Sequence, residues 1–302
     1  MANHSHTEHH HHHHHGDDLT DKKLLFSVLF NFIITLSEIL GGIYSNSLAL
    51  ISDSLHNLND TMAILLSYIA RKISKRPKDE KRTYGYKRVE ILAAFTNTLF
   101  LFAVAIFLIV ESIKKFYKPE IIDGKLMLII SIIGLIGNLI TAVLLFKESK
   151  ENLNVRATFV HIASDTLSSI MIIIGAIFIY KYNWYILDPI FTMLISAYIL
   201  FEGYHILKES TNILIQGTPD SMELNKIKEE LEKFNYVEDA HHIHVWTTDG
   251  QDKYLECHIS LKEHENYNLD EYLKELNHIL NEKFGITHTT IQFEKNICKG
   301  GK

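Results

Sequence analysis

"SNSLALISDSLHNLNDTMAILLSYIA", residues 45–70, is long and apolar enough to cross a bilayer, yet it holds Asp53, His56 and Asp60. In a helix, positions four apart stack on one face, so His56 and Asp60 present an imidazole and a carboxylate together. A second apolar stretch, near residues 157–180, repeats the pattern in "HIASD", from His161 to Asp165. Ionisable groups inside a membrane helix are costly and ordinarily mark an ion or proton pathway. If the two helices pack together, His56, Asp60, His161 and Asp165 offer two nitrogen and two oxygen ligands, the tetrahedral number zinc prefers. The two aspartates also offset a divalent charge. Emptied, such a site strands two carboxylates in a low-dielectric setting and draws in either a metal ion or protons, which is a physical basis for exchange. Asp53 shares the face of His56 and Asp60 as an accessory or entrance carboxylate, while Glu38, Asn31, Asn97 and Asn138 read as braces between helices.

Outward from these two motifs, apolar residues gather before about residue 206 and charged ones after it. Stretches near 24–44, 48–70, 89–113, 125–147, 157–180 and 186–206 have the length of about 20 residues that a spanning helix needs. The most basic segment, "ARKISKRPKDEKRTYGYKR" from Ala70 to Arg88, and the link holding Lys147, Lys150 and Arg156 belong on the cytosolic side. The links "SNS" and the one carrying only Lys181 belong outside, which puts both termini inside. Lys114, Lys115, Lys118 and Lys125 run against this bias, accompanied by Glu120 and Asp123. The net charge of −6 argues against nucleic acid, and the basic segment is explained by topology and lipid head groups. No cleavable signal is expected ahead of the first span, because the start is a polar tract, "HSHTEHHHHHHHG" at residues 4–16. That tract reads either as a native arm that gathers metal or as a tag.

From about Pro219 the pattern becomes amphipathic. "DSMELNKIKEELEKF" reads as a helix capped by Asp220 or Ser221, with Met222, Leu224, Ile227, Leu231 and Phe234 at helical spacing. "HHIHVWTTD" and "KYLECHISL" alternate with period two across a "GQD" turn. "NLDEYLKELNHILNEKFG" is a second helix ending on Gly285, and "THTTIQFE" a third strand. The order α, β, β, α, β gives a small sheet with helices on one face. Strand parity puts His242, His244, His258, His288 and Glu294 on the polar face, and gives His241 the parity of the core residues Ile243 and Val245. Cys257 and Cys298 fall in this part, where no disulfide framework is expected.

The sequence resembles the cation diffusion facilitator family of divalent-metal transporters. The likeness lies in "SNSLALISDSLHNLND", "YGYKRVEILAAFTN", "NVRATFVHIASD", "HHIHVWT" and "TIQFE", and so covers nearly the whole chain. It implies an α-helical membrane domain of six spans followed by a small metallochaperone-like α+β cytosolic domain, a homodimer, and antiport of metal against protons. The expected division is a histidine-rich tail at 1–22, a transport domain at 23–207 and a cytosolic metal-binding and dimerisation domain at 208–302. The resemblance assigns transport ligands to His56, Asp60, His161 and Asp165, the same four the residues themselves suggest, and His56 in place of an aspartate points to zinc, with cobalt and cadmium as further cargo. It also implies a cytosolic site at His241, His258 and Glu294, with His244 and His288 as alternates and Cys298 as either an added thiolate or a free thiol. Some members bind metal in the loop between spans two and three through Asp and His, but "KRTYGYKR" has no histidine.

The expectation is therefore a transporter and not an enzyme, in a bacterial inner membrane, with zinc as cargo and as a cytosolic ligand. Two alternatives stay open. One is a membrane metal sensor that binds without transport. The other is an intramembrane metalloenzyme, which lacks the "HExxH" signature and would have no open coordination position for water.

Overall fold

A computed structural model describes the backbone of residues 15–146, 153–263 and 268–295, with side chains described over 29–143, 165–263 and 268–295. Six long helices come first: α1 His15–Ser45, α2 Leu48–Ser74, α3 Arg88–Tyr117, α4 Gly124–Phe146, α5 Leu153–Tyr182 and α6 Leu187–Leu214. They are followed by α7 Leu224–Leu231, β1 Val237–Thr247, β2 Lys253–Leu261, α8 Leu269–Phe284 and β3 Ile286–Glu294. Among the described residues, the stretches Arg88–Tyr117, Gly124–Val143, Asp165–Tyr182 and Leu187–Leu214 are long and apolar enough to cross a membrane, and Leu29–Ser45 is a shorter apolar helix. The first half of α2 carries Asp53, His56, Asn57, Asn59 and Asp60, the polar load expected to mark a pathway.

The chain divides into two compact units, one formed by residues up to Met62 with Leu101–Leu200, the other by Ala63–Phe100 with Phe201–Lys302. In the first unit, α4 packs against α1 and α5. The α1–α4 contact runs through glycines: a Cβ on Gly41 would meet Ile130 at 2.7 Å and one on Gly137 would meet Ile34 at 2.0 Å. Small residues that let backbones approach are the usual means of joining helices in lipid, where apolar burial gives no drive. Many apolar side chains face outward, as Ile33, Leu36 and Leu40 do on α1 and Ile129, Ile133, Ile136 and Leu139 on α4, while Leu50, Met127, Ile172, Ile179 and Ile199 belong to an apolar cluster inside the unit.

The "SNS" link is a stop and a start in three residues. Asn46 takes a left-handed conformation (φ 61°) after the last turn of α1, and Ser47 N–H bonds to Gly42 O at 3.0 Å, closing the helix in the Schellman manner. Ser47 then caps α2 by accepting from Leu50 N at 3.2 Å. The buried carboxylate of Asp188, in the first turn of α6, accepts from Ser47 Oγ (2.5 Å), Leu48 N (2.8 Å) and Ala49 N (3.1 Å), so α2 and α6 start at one level. The lysines that ran against the charge bias are partly engaged at this end. Lys115, only 8% exposed, donates to Asn46 Oδ1 and O at 2.7 and 3.0 Å and pairs with Glu120, and Lys114 pairs with Glu111.

In the second unit, β1 and β2 are antiparallel and β3 joins β2 in parallel, in the order β1-β2-β3. The core combines Ile227 and Leu231 of α7, Leu276 and Leu280 of α8, and Val245, Leu255, Cys257 and Ile259 of the sheet. α8 is bounded as the sequence suggests, with Asn268 Oδ1 capping Glu271 N and Gly285 in the left-handed conformation (φ 66°) at its end. α7 differs. Asp220 and Ser221 lie instead in a turn closed by Met222 N–H to Pro219 O at 2.9 Å, and the helix starts at Leu224 after Glu223 without a side-chain cap. Met222 is buried in the core, and that burial outweighs the roughly 1 kcal/mol a cap contributes.

Candidate metal centres

The first candidate site lies between α1, α2 and α5. His56 Nε2 stands 3.5 Å from Asp60 Oδ2 one turn away, both half-buried. Asp165 of α5 is buried, while His161 falls in α5 with its side chain outside the described residues. α5 reaches α2 through Ser168, whose Oγ is 2.6 Å from Asp53 Oδ1 and 2.9 Å from its own helix's Asp165 O. Asp53 and Asp165 are within electrostatic reach of each other and of Glu38 on α1, which accepts from Asn57 Nδ2 at 3.5 Å. Three helices thus bring three buried carboxylates together beside His56. From the sequence alone Glu38 reads as a brace between helices. Its partner signal was on α4, where a Cβ on Gly134 would lie 1.8 Å from Glu38 Oε1. Such a group of carboxylates can hold a cation or an equivalent number of protons, and not nothing.

The second candidate site is on the sheet, where one ligand atom each from His241, His258 and Glu294 all lie within 4.8 Å of one another. His241 is paired directly with His258 across β1–β2, while Glu294 sits opposite Ser260 on the third strand. The parity of His241 is resolved by a bulge. Ala240 and Val245 are both buried although five residues apart, which a regular strand forbids, and the register shifts between His241 and His244 with His242 left-handed at φ 50°. The extra residue returns His241 to the polar face. His258 Nδ1 is 2.8 Å from Glu294 Oε1, and His241 Nε2 is 3.4 Å from Glu294 Oε2. Ligands about 2.0 Å from a tetrahedral zinc are about 3.3 Å apart, so these spacings suit one. Asp239 Oδ2 stands 2.9 Å from His241 Nδ1, the place of an orienting carboxylate. These approaches leave both nitrogens of His241 and Nδ1 of His258 buried without an aligned hydrogen bond, as expected of ligands and not of a packed polar cluster.

The alternates lie elsewhere on the sheet. His244 is exposed opposite Glu256, and His288 is exposed opposite Tyr254, with the two rings 5.5 Å apart. Cys298 lies outside the described residues, as does the histidine tract up to residue 14. Cys257 is a core residue whose thiol is pushed up to about 12 by burial, so it is no thiolate ligand.

The loop between α2 and α3 is closed without histidine. Asp79 accepts from Lys81 N, Arg82 N and Tyr86 Oη, with the Arg82 guanidinium 5.0 Å above the Tyr86 ring. Tyr86 foremost holds the Asp79 carboxyl below the usual carboxylate range. The loop docks on the β1–β2 hairpin through Lys87, which binds Asp252 and Asp249, and through Tyr84 against Tyr254.

Residues 24–215 match the model of the cation efflux transmembrane domain, and residues 219–296 that of the cation efflux protein cytoplasmic domain. A cation efflux system protein, CzcD, of Alcaligenes sp. strain CT14 is 37% identical over 99% of this chain and 92% of its own length. The zinc transporter ZitB of Escherichia coli K12 is 34% identical over 98% of this chain and 93% of its own. A cadmium, cobalt and zinc/H(+)-K(+) antiporter of Bacillus subtilis strain 168 is 34% identical over 90% of this chain and 88% of its own. Matched in both its parts and along nearly all its length, this integral membrane protein belongs to the cation diffusion facilitator family of metal transporters.

Proposed function

We propose that the chain exports zinc, with cobalt and cadmium as further cargo, from the cytosol in exchange for protons. The observation that carries this reading is the meeting of α2 and α5 at Ser168–Asp53, between two helices that each bear a His and an Asp one turn apart. His56, Asp60, His161 and Asp165 take the cargo as four ligands. Asp53 and Glu38, buried beside them, keep the emptied site from being left without protons. Metal and protons compete for the same nitrogen and oxygen atoms, so proton entry from outside displaces the ion outward. The mixed imidazole–carboxylate set suits zinc better than manganese or calcium. The names of the zinc transporter and of the cadmium, cobalt and zinc antiporter among its relatives support the same cargo.

On this reading the protein is a homodimer in a bacterial inner membrane, with both termini and the α+β domain in the cytosol. His241, His258 and Glu294 hold a resident zinc there. Bound metal ties β1 and β2 to β3, stabilises the domain by mass action and biases the dimer toward one arrangement.

The test is zinc flux into liposomes carrying a zinc dye and a pH dye. The intact protein moves zinc against protons, and Asp60→Ala and Asp165→Ala lower that flux at least about 100-fold while the protein stays folded. Normal flux in either variant would sink the ligand assignment. Zinc binding without flux in the intact protein would convert the reading to a sensor.

A further inference from the structure

The bulge that returns His241 to the polar face leaves His242 itself in a backbone conformation that L residues rarely adopt. A non-glycine residue held there is strained and persists where the surroundings or a function require it. The extra residue of a bulge needs no particular side chain. Glycine or asparagine would fill this one with less strain.

The imidazole of His242 is half-buried against the other two. Its ring centroid is 5.0 Å from that of His258 and 5.4 Å from that of His241, and the latter two are 5.6 Å apart. Two imidazoles bound to one tetrahedral zinc have centroids about 5.2 Å apart, from a metal–nitrogen bond of about 2.0 Å and the ring radius. The three rings therefore form a nearly equilateral triangle of the size that three histidines around one ion require. The group whose ligand atoms already lie within 4.8 Å of one another does not include His242, so its ring has to turn toward the others. Rotation about Cβ–Cγ is soft for histidine. Asp239 is engaged on both its oxygens, by Lys228 Nζ at 2.8 Å from Oδ1 and by His241 Nδ1 at 2.9 Å from Oδ2, and so serves to orient His241 and not as the fourth ligand.

We infer that His242 is a fourth ligand of the sheet's metal site, carried on the bulge and swung in to complete a His₃Glu tetrahedron with His241, His258 and Glu294. This rests on the proposed function of those three as a metal site. A His₃Glu set leaves no position open for water, the mark of a structural or regulatory site and not a hydrolytic one.

The experiment is Co²⁺ titration of the full-length, detergent-purified protein carrying Asp60→Ala and Asp165→Ala, followed by the visible absorption of tetrahedral Co²⁺. Binding by the histidine tract is common to every variant and is read as the part of the band that His258→Ala leaves. His242→Asn and His242→Gly, both of which tolerate the left-handed backbone, weaken tetrahedral Co²⁺ binding by at least about tenfold. His242→Asp, which returns a ligand atom on the same backbone, retains more of the binding than either. Wild-type affinity and band in the Asn and Gly variants, with the band lost in His258→Ala, would overturn the fourth ligand and leave the three-residue site standing. A band unchanged in both His258→Ala and Glu294→Ala would overturn the site itself and this inference with it.

Discussion

The helical unit and the α+β domain differ in what they carry inside. Buried in the first, beside an apolar cluster that includes Leu50, Met127 and Ile172, are Glu38, Asp53, Asn57, Asp165, Asp188, Thr192 and Ser196, while many isoleucines and leucines of α1 and α4 face out. Buried in the second are Leu255, Cys257, Ile259, Leu276 and Leu280. The solvent explains the difference. Water drives apolar surface inward, whereas hydrocarbon is indifferent to it, and leaves helices to associate through close contacts of small residues and through polar bonds. The consequence is functional as well as structural. Only an interior already furnished with carboxylates, amides and hydroxyls can pass a divalent ion, and only the water-facing sheet can offer a histidine cluster on a rigid, conventionally packed base.

Removing one inward residue from each region has the largest effect. Leu276→Ala empties a fully buried position and is expected to cost about 4 kcal/mol. Asp188→Ala strands the Ser47 hydroxyl and the Leu48 and Ala49 amides in a buried setting, at about 3 kcal/mol. The two tryptophans report separately, Trp184 after α5 and Trp246 in β1. With one or the other replaced by phenylalanine, thermal melts should show Leu276→Ala lowering the Trp246 transition and Asp188→Ala the Trp184 transition. A core truncation that moved only Trp184 would contradict the division into two units.

Much of this was legible in the sequence because each signal was local. Helix length, the four-residue spacing of His56 and Asp60, the glycine after α8 and the alternation of β2 all sit within a few residues of one another. What was not legible depended on pairing. His241 had the wrong parity until the five-residue separation of Ala240 and Val245 revealed a bulge, and a bulge is set by the partner strand. Glu38 read as a brace because the vacancy that receives it, at Gly134, is on another helix. Lys115 ran against the charge bias because its ammonium is taken up by Asn46 and Glu120, a contact between segments some seventy residues apart in the chain. α7 starts later than Asp220 and Ser221 suggest because burial of Met222 competes with a cap and prevails.

The outward-facing residues of the two regions give a smaller effect. Ile136 is half exposed near the middle of α4, and Leu273 is exposed to a lesser degree on α8. Ile136→Lys sets a charge against hydrocarbon and is expected to cost about 3 kcal/mol, seen as reduced insertion and a lowered Trp184 transition. Leu273→Lys faces water and should change stability by no more than about 0.5 kcal/mol. Equal tolerance of the two lysines would mean that α4 does not face lipid.

The smallest effect concerns Lys87, where the α2–α3 loop meets the β1–β2 hairpin. Hydrogen bonds to Asp252 first, and then Asp249, raise the affinity of the Lys87 ammonium for its proton above the ordinary lysine value. Burial works to raise Asp249, but the Asp252 amide and Lys87 outweigh it and leave that carboxyl low. A raised lysine contributes stability that is complete below its unfolded value, near 10.4, and is lost only as pH rises through the higher folded one. A lowered aspartate contributes stability that is complete above the ordinary carboxylate range and is lost as pH falls through the depressed value. The interlock is therefore flat between about pH 5 and pH 10. Lys87 is more than a third exposed, so screening by water keeps the cost of Lys87→Ala at or below about 1 kcal/mol. Its effect on the Trp246 transition should be the same at pH 6 and pH 9 and should shrink in high salt. A pH-dependent difference between those two points would place a histidine in the interlock, and His244, which lines the same 620 Å³ cavity as Lys87, would be the residue to replace next.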